Sequence, residues 1–242
     1  MPEAFPLIER DPVDGSANAH LWPFLGRLAE EFPGGWVLVG GQMVLLLGLE
    51  QGELPQRETD DADALVRVKV LPAGTSQLSA FLEDQGVMLD GVSPGGIGHR
   101  FRGEGLTVDV LAPDNIGTRA DLTTIRPART VEVPGGTRLL SSPRRCPVRV
   151  AEQVFAIPRP DLPAAIVGKA AALSLPDPSR HAQDLAFLLG LVDDVRTLAA
   201  GLTPSDNRWL SHTRQLLENE RVWNYSHRPQ AARAALLFLL GA

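Results

Sequence analysis

Residues 36–49, WVLVGGQMVLLLGL, constrain the fold more than any other stretch of this chain, because their character changes abruptly in the middle. Trp36–Val39 is a short apolar run typical of a buried strand, Gly40-Gly41 predicts a turn, and the apolar run 42–49 has the length of a helix. Bare backbone N–H groups at such a helix start, together with the helix dipole, can receive phosphate oxygens. The stretch predicts a strand-turn-helix unit, although a glycine pair alone usually marks only a turn.

The rest of the first 160 residues mixes strand and helix patterns. Helical spacing of apolar residues predicts a helix over 20–32, and the run DALVRVKV predicts a strand over 63–70. The segments HRFRG and LTVDVLA, separated by Glu104-Gly105, predict a hairpin. The other expected elements are a helix over 75–84 capped by Thr75 or Ser76, a strand over 86–92, and short strands within 130–133, 138–140 and 148–151.

After Pro160 the pattern becomes helical, and each expected helix follows a capping residue. The caps and helices are Asp161 before 163–173, Ser179 before 180–200, Thr203-Pro204 before 206–218, and Ser226 before a helix that ends at Leu240. We therefore predict an α+β fold, with a small mixed β-sheet core flanked by helices and a mainly helical C-terminal half. The expected division is a core domain of residues 1–160 and a helical domain of residues 161–242.

Acidic residues are densest in TDDADALV, at the mouth of a predicted strand. Side chains two apart on a strand face the same side, so Asp61 and Asp63 can converge while Asp60 points elsewhere. Asp109, inside the apolar strand LTVDVLA, would be costly to bury without a partner. Adjacent carboxylates with a third acid on a neighbouring strand suit Mg²⁺ or Mn²⁺. The alternative is that the acids only solvate the strand entrance.

An EF-hand calcium loop is excluded by spacing. Counting from Asp61 places Val66 where the loop needs glycine and Pro72 where it needs its final glutamate.

A strand, a glycine turn, a helix and a strand that opens with two acids form the pattern of polymerase β type nucleotidyltransferases. The chain resembles that superfamily, and within it the AbiEii and MenT group of toxin nucleotidyltransferases. The residues that carry the resemblance are VGGQMVLLLG, Arg57, Thr59, Asp61 and Asp63 in RETDDAD, Asp109 in TVDVL, and Lys169 and Asp184 in IVGKAAALSLPDPSRHAQDL. Two features depart from it: Gly41 replaces the serine of many members, and the gap to Asp61 is long.

The resemblance implies roles for these residues. Asp61, Asp63 and Asp109 would be catalytic and hold the metal ions, with Asp109 as the candidate base. Nucleotide and phosphate binding would fall to Gly40, Gly41, Arg57, Thr59, Lys169 and Asp184. From the residues alone, Lys169 can instead extend to solvent. Asp184 can likewise be an ordinary surface ion pair with Arg180, and we expect His181 to be structural or exposed.

The acceptor of the nucleotide is less constrained than its donor. Residues 126–159 contain seven arginines: Arg126, Arg129, Arg138, Arg144, Arg145, Arg149 and Arg159. Their side chains can face an RNA backbone or form a solvated surface. The resemblance favours RNA, particularly the tRNA 3′ end, and a toxin with an antitoxin protein as partner. The alternatives are transfer to a small molecule or a protein hydroxyl, and a catalytically degenerate relative that binds a partner.

Composition excludes several other classes. No run approaches the roughly 20 apolar residues of a membrane span, and the acidic, proline-containing start is unlike a secretory signal, so we expect a cytoplasmic protein without membrane contact. The single cysteine, Cys146, excludes an internal disulfide or a cysteine-rich zinc site. A net charge of −6 argues against attraction of nucleic acid to the whole surface.

Overall fold

The computed structural model describes residues 7–10, 18–57, 59–117 and 120–241. In chain order the strands are β1 (Ile8–Glu9), β2 (Trp36–Val39), β3 (Asp61–Val66), β4 (Met88–Leu89), β5 (Arg100–Gly103), β6 (Leu106–Pro113), β7 (Glu132–Val133), β8 (Pro143–Val150) and β9 (Gln153–Pro160). The helices are α1 (Asn18–Glu31), α2 (Gly40–Leu49), α3 (Gly74–Asp84), α4 (Gly136–Leu139), α5 (Leu162–Ala172), α6 (Pro178–Gly190), α7 (Val195–Ala200), α8 (Pro204–Ser211) and α9 (Pro229–Leu239).

The main sheet is mixed, with the spatial order β2-β3-β6-β5-β4 and with β7 beside the end of β6. Strands β3 and β6 are parallel, whereas β2 with β3 and β5 with β6 are antiparallel pairs. The hairpin of β5 and β6, with its turn at Glu104-Gly105, is as predicted. Mixed sheets flanked by helices confirm the α+β class.

The strand-turn-helix unit forms with one adjustment. β2 ends at Val39 as predicted, but α2 already includes Gly40 and Gly41 in its first turn. β3 begins at Asp61 and ends at Val66, so the predicted strand over 63–70 was placed too late. Its partner β2 pairs only with residues 63–66, and the chain after Val66 turns back on itself.

A second sheet, with the order β1-β8-β9, packs against the main sheet and α1. Phe155 of β9 fits against Gly26 of α1, where a Cβ would lie only 2.5 Å from the ring. The hairpin of β8 and β9 is longer than the predicted strand within 148–151. The predicted strand over 138–140 is wrong, because α4 occupies that segment and buries Leu139 against Gly168.

The C-terminal half is helical as predicted, but several helix boundaries differ. Asp161 accepts from Ala164 N–H and Thr203 forms a capping box with Asp206, as expected of caps. α6 begins at Pro178 rather than after Ser179, and it ends at Gly190 instead of continuing to 200. A 3₁₀ helix, Arg214–Glu218, replaces the end of the predicted helix over 206–218, and a second 3₁₀ helix, Glu220–Tyr225, follows it.

Three smaller expectations also need correction. Neither Thr75 nor Ser76 caps α3, because their hydroxyls donate to the carbonyls of Asp121 and Ala73. The predicted strand over 86–92 shrinks to Met88–Leu89. The last helix begins at Pro229 instead of directly after Ser226, consistent with the preference of proline for the first helical position.

The helical half and the main sheet share one apolar core. Val37 and Val39 of β2 and Met43 of α2 belong to the same buried cluster as Leu185 of α6 and Leu236 of α9. This packing brings α5 and α6 over the start of α2, which is where the acids of β3 and β6 lie. Across the described ranges, no helix is long and apolar enough to cross a membrane.

Candidate active site

Asp61, Asp63 and Asp109 lie on one face of the main sheet. In the parallel register of β3 and β6, Asp63 is opposite Asp109 and Asp61 is opposite Thr107. Directly paired residues, and residues two apart on one strand, point to the same face of a sheet. The three side chains line one pocket of about 210 Å³, whose wall also includes Gly40-Gly41. The structure thus brings the three acids to the first turn of α2.

The glycine pair is required by the close approach of the acid strand. Gly40 has a φ of +67°, and a Cβ there would overlap the carboxylate of Asp63. A Cβ at Gly41 would lie 2.6 Å from the methyl group of Thr59. The glycine at position 41, where the resembled superfamily often has serine, therefore has a steric reason in this chain.

Thr59 and Gln42 fix the entrance to β3. The hydroxyl of Thr59 donates to Oδ1 of Asp61, and the amide of Gln42 donates to the carbonyl of Thr59 over 2.6 Å. Gln42 is fully buried in α2, so its amide ties the helix start to the acid strand. Thr59 thus orients the carboxylate of Asp61.

Asp63 lies in the most unfavourable electrostatic surroundings of the three acids. Burial, followed by the negative charges of Asp109 and Asp61, raises the pKa of its carboxyl to about 7, although Lys169 and Arg100 lower it. Its environment therefore favours any additional positive charge beside it.

Arg100 is a site residue that the sequence analysis missed. Its Nε and Nη2 atoms donate to both carboxylate oxygens of Asp109, over 2.8 and 2.7 Å, and Nη2 lies 3.7 Å from Oδ2 of Asp61. The hydrogen bond to Asp109 raises the pKa of Arg100 above its usual value. The signal was present in the sequence, since a two-residue turn at Glu104-Gly105 places position 100 opposite position 109.

Asp184 holds two cations on the helical wall of the pocket. Nζ of Lys169 lies 2.7 Å from its Oδ2, and the guanidinium of Arg57 donates to both of its oxygens over 3.1 to 3.3 Å. Burial would raise the pKa of Asp184, but Lys169 and Arg57 hold it below its usual value. Neither open alternative for these residues holds: Lys169 is buried, and Asp184 pairs with residues distant in sequence rather than with Arg180.

His181 also lines the pocket, which places it nearer the acids than we expected. Burial and the neighbouring charge of Lys169 lower the pKa of His181 to about 4, so its imidazole is neutral at physiological pH. Its Nδ1 is buried and has no hydrogen-bond partner in the part of the chain that the structure describes.

An apolar cavity of about 400 Å³ opens directly beside the acid pocket. The two share Gly40, Asp63, Lys169 and His181 as wall residues. The remaining wall is mainly apolar and comes from β7, α4, α5 and the end of β2. Such a volume is in the range of small-molecule binding sites.

Among the residues that the structure describes, none of the seven arginines of residues 126–159 lines the acid pocket. Arg138 pairs with Asp206, Arg159 forms a buried pair with Glu50, and Arg149 lies near Glu9 on the second sheet. Arg144 and Arg145 are exposed on β8. The arginines that do line the acid pocket, Arg57, Arg100 and Arg180, lie elsewhere in the sequence.

The donor chemistry of the acid pocket fits a divalent cation. Asp61 and Asp63 offer hard oxygen ligands, and a cation between them would offset the burial and the neighbouring negative charges that raise the pKa of Asp63. Within the described ranges, no group of three or more histidine, cysteine or acidic side chains is arranged to hold a metal. Arg100 engages both oxygens of Asp109 and therefore competes with a metal ion for that carboxylate.

Comparison with models of known protein families finds no match for this chain, and neither does comparison with curated proteins.

Proposed function

We propose that this protein is a metal-dependent nucleotidyltransferase of the polymerase β type, which transfers a nucleotide from a nucleoside triphosphate to an acceptor hydroxyl. The observation that carries the proposal is the convergence of Asp61, Asp63 and Asp109 at the glycine start of α2. Acids on paired strands beside the backbone N–H groups of a helix start provide what phosphoryl transfer needs, which is mostly positioning and charge stabilisation.

Asp61 and Asp63, joined by Asp109 after its release from Arg100, would hold Mg²⁺ or Mn²⁺. When bound, such ions neutralise phosphate charge in the in-line transition state and stabilise the departing pyrophosphate. Thr59 positions Asp61 by its hydrogen bond, and Gly40 leaves room for the carboxylate of Asp63.

The first turn of α2 is suited to receive the triphosphate. No side chain of the N-cap residue, Val39, caps the helix start at Gly40-Gly41, and the positive end of the helix dipole favours an anion. Asp184 holds the cationic groups of Arg57 and Lys169 on the facing wall. The neighbouring apolar cavity, at about 400 Å³, has room for the nucleoside part.

Asp109 is the proposed base for the acceptor. It would take the proton from the attacking hydroxyl, whose oxygen forms a bond to the α-phosphorus while the bond to pyrophosphate breaks. Arg100, freed from Asp109, then lies near the phosphates with a positive charge. The chemical step is complete with one nucleotide on the acceptor and one pyrophosphate released.

RNA is the acceptor that we propose, with the tRNA 3′ end as its most specific form, in a toxin that is controlled by an antitoxin protein. The resemblance to AbiEii and MenT proteins supports both parts of this proposal. It predicts that expression of the protein arrests bacterial growth and that Asp61→Ala and Asp63→Ala variants do not.

The direct test incubates the purified protein with each labelled nucleoside triphosphate, Mg²⁺ and total tRNA. We expect label in RNA with the wild type and with Asp84→Asn, a matched carboxylate change at the exposed end of α3, but none with Asp61→Ala. Label confined to protein would reject the RNA acceptor. Absence of any labelled product with every triphosphate and with Mn²⁺ as well as Mg²⁺ would reject the nucleotidyltransferase.

A further inference from the structure

We infer that a second, arginine-lined pocket beside Asp61 binds a phosphodiester of the RNA acceptor, next to the nucleotide that carries the attacking hydroxyl. This inference rests on the proposed nucleotidyl transfer and adds to it the position of the acceptor. The pocket has a volume of about 380 Å³, and its wall includes Arg57, Arg100, Arg102 and Arg180 beside Asp60 and Asp61.

The four arginines differ in how firmly they are held. Arg57 is bound to the buried Asp184 and Arg100 to the buried Asp109. Arg102 has a single-contact pair with Asp90 at 3.0 Å, with both side chains largely exposed. Exposed pairs of this kind contribute little free energy, so a phosphate can compete for the guanidinium.

Arg180 is held no more firmly than Arg102. It lies 3.6 Å from Asp177, with both side chains about two-thirds exposed. It is also in the first turn of α6, where the helix dipole adds partial positive charge. Arg102 on the sheet side and Arg180 on the helical side can therefore both turn toward an anion in the pocket between them.

Strand register places this pocket on the side of Asp61 away from the start of α2. Arg102 is opposite Thr107, and Thr107 is opposite Asp61, so the three side chains lie in a row across β5, β6 and β3 on one face. Two strand spacings put Arg102 roughly 10 Å from Asp61. Gly40 and Gly41 are absent from the wall of this pocket within the described residues, so the proposed triphosphate site lies on the other side of Asp61.

The weakly held arginines of this pocket favour a nucleic acid over a protein acceptor. A protein hydroxyl brings no phosphate, so it gives Arg102 and Arg180 no anion to exchange for their exposed partners Asp90 and Asp177. RNA supplies one phosphodiester for each nucleotide, and arginine matches phosphate geometry with two parallel hydrogen bonds. The exposed Arg144 and Arg145, on the second sheet, form the rival RNA surface that the sequence offered.

The test measures binding of a fluorescein-labelled single-stranded RNA by anisotropy, over a range of salt concentrations. One RNA has normal linkages, and a second carries a neutral methylphosphonate at its last 3′ linkage. The Arg102→Gln/Arg180→Gln variant is compared with Arg144→Gln/Arg145→Gln, which removes the same charge from β8. We expect the first variant to weaken binding of the normal RNA at least about tenfold and to lower the salt slope by about 1.4, and the control to change neither.

The RNA with the neutral methylphosphonate tests whether the two arginines contact the phosphate at that linkage. Wild type should bind the neutral-linkage RNA more weakly, whereas the Arg102→Gln/Arg180→Gln variant should no longer distinguish the two RNAs. Equal binding of both RNAs by wild type, or a loss confined to the Arg144→Gln/Arg145→Gln variant, overturns the inference.

Binding of a fluorescent nucleoside triphosphate with Mn²⁺, measured on the same samples, separates the two proposals. If the Arg102→Gln/Arg180→Gln variant binds both the triphosphate and RNA as wild type does, the proposed acceptor pocket is rejected and the proposed nucleotidyltransferase is not. If no triphosphate binds in any variant, the proposed function fails on its own.

Discussion

Asp63 and Asp184 line the same pocket, yet their carboxyl groups have opposite electrostatic surroundings. Asp184, on the helical wall, accepts from Lys169 and Arg57, which hold its pKa below the usual value. Asp63, on the sheet wall, faces Asp61 and Asp109, and its pKa rises to about 7. Lys169 and Arg57 compensate the negative charge of Asp184. The negative charge of Asp63 is compensated less, because two further carboxylates lie beside it. In the proposed function, Asp184 organises the pocket and Asp63 binds a metal ion that the chain does not supply.

The largest expected effect is a loss of activity when Asp63, on the sheet wall, is changed. Asp63→Asn should lower nucleotide incorporation by about a thousandfold or more, because it removes a proposed metal ligand that acts in the transition state. The folded protein should persist, since the change removes a charge that its surroundings disfavour. Incorporation and circular dichroism on the same sample are the measurements. Incorporation near the wild-type level would remove Asp63 from the mechanism.

For stability we expect the larger loss from a change at Asp184 rather than at Asp63. Asp184→Asn leaves the buried Lys169 without a charged partner, and we expect it to lower the free energy of unfolding by about 3 kcal/mol. Urea denaturation measures the change. As a control, Asp193→Asn breaks an exposed pair with Arg228 and should cost less than about 0.5 kcal/mol.

A double variant tests whether this loss comes from the unpaired charge. Asp184→Asn/Lys169→Met should recover part of the lost stability, because it removes the unpaired ammonium as well. If the double variant is no more stable than Asp184→Asn, an unpaired Lys169 is not the reason for the loss.

Stability as a function of pH provides a smaller and more specific test of the sheet wall. The folded-state pKa of Asp63, about 7, lies above its unfolded value of 3.8, so the folded chain binds the extra proton between these limits. The contribution of Asp63 to stability is present below pH 3.8 and is lost as pH rises to about 7. At pH 8, in the absence of divalent metal, Asp63→Asn should be more stable than wild type by on the order of 1 to 3 kcal/mol.

At pH 4 to 5 this advantage should shrink toward zero, as followed by thermal unfolding in a buffer series. An advantage that is independent of pH would show that the titration of Asp63 is not its cause.

The smallest expected effect is a change in Mn²⁺ affinity when Arg100, a cationic residue of the sheet wall, is replaced. Arg100→Gln frees the oxygens of Asp109, so Mn²⁺ should bind at least about fivefold more tightly in the absence of nucleotide. Electron paramagnetic resonance of free Mn²⁺ measures the affinity. Arg102→Gln, two residues along the same strand and without contact to Asp109 in the described structure, is the matched control. Unchanged affinity for Arg100→Gln would mean that Asp109 is not a ligand.

Much of the sheet and of the acid pocket was predictable from local patterns. The apolar run Trp36–Val39 has the length of a buried strand, the glycine pair marks a break, the next apolar run has the length of a helix, and the β5–β6 hairpin has a clear turn. Two-residue alternation placed Asp61 and Asp63 on one face. Errors concentrated where context overrides local preference, as at residues 138–140, which form α4 because Leu139 packs against Gly168.

The partners of the charged side chains were far less predictable. Arg57 and Asp184 are 127 positions apart in the chain and Lys169 and Asp184 are 15 apart, and no pattern in the sequence joins them. Likewise, nothing local indicated that Arg102 and Arg180, on a strand and a helix, share one pocket.

The sequence by itself determined which face of each strand the acids occupy and where the glycine start of α2 lies, because strand periodicity and the absence of a Cβ are local properties. Only the tertiary structure decided which acids are neutralised. That outcome depends on where α5, α6 and β5 bring their cations, and those positions are set by the packing of a core shared between both halves of the chain.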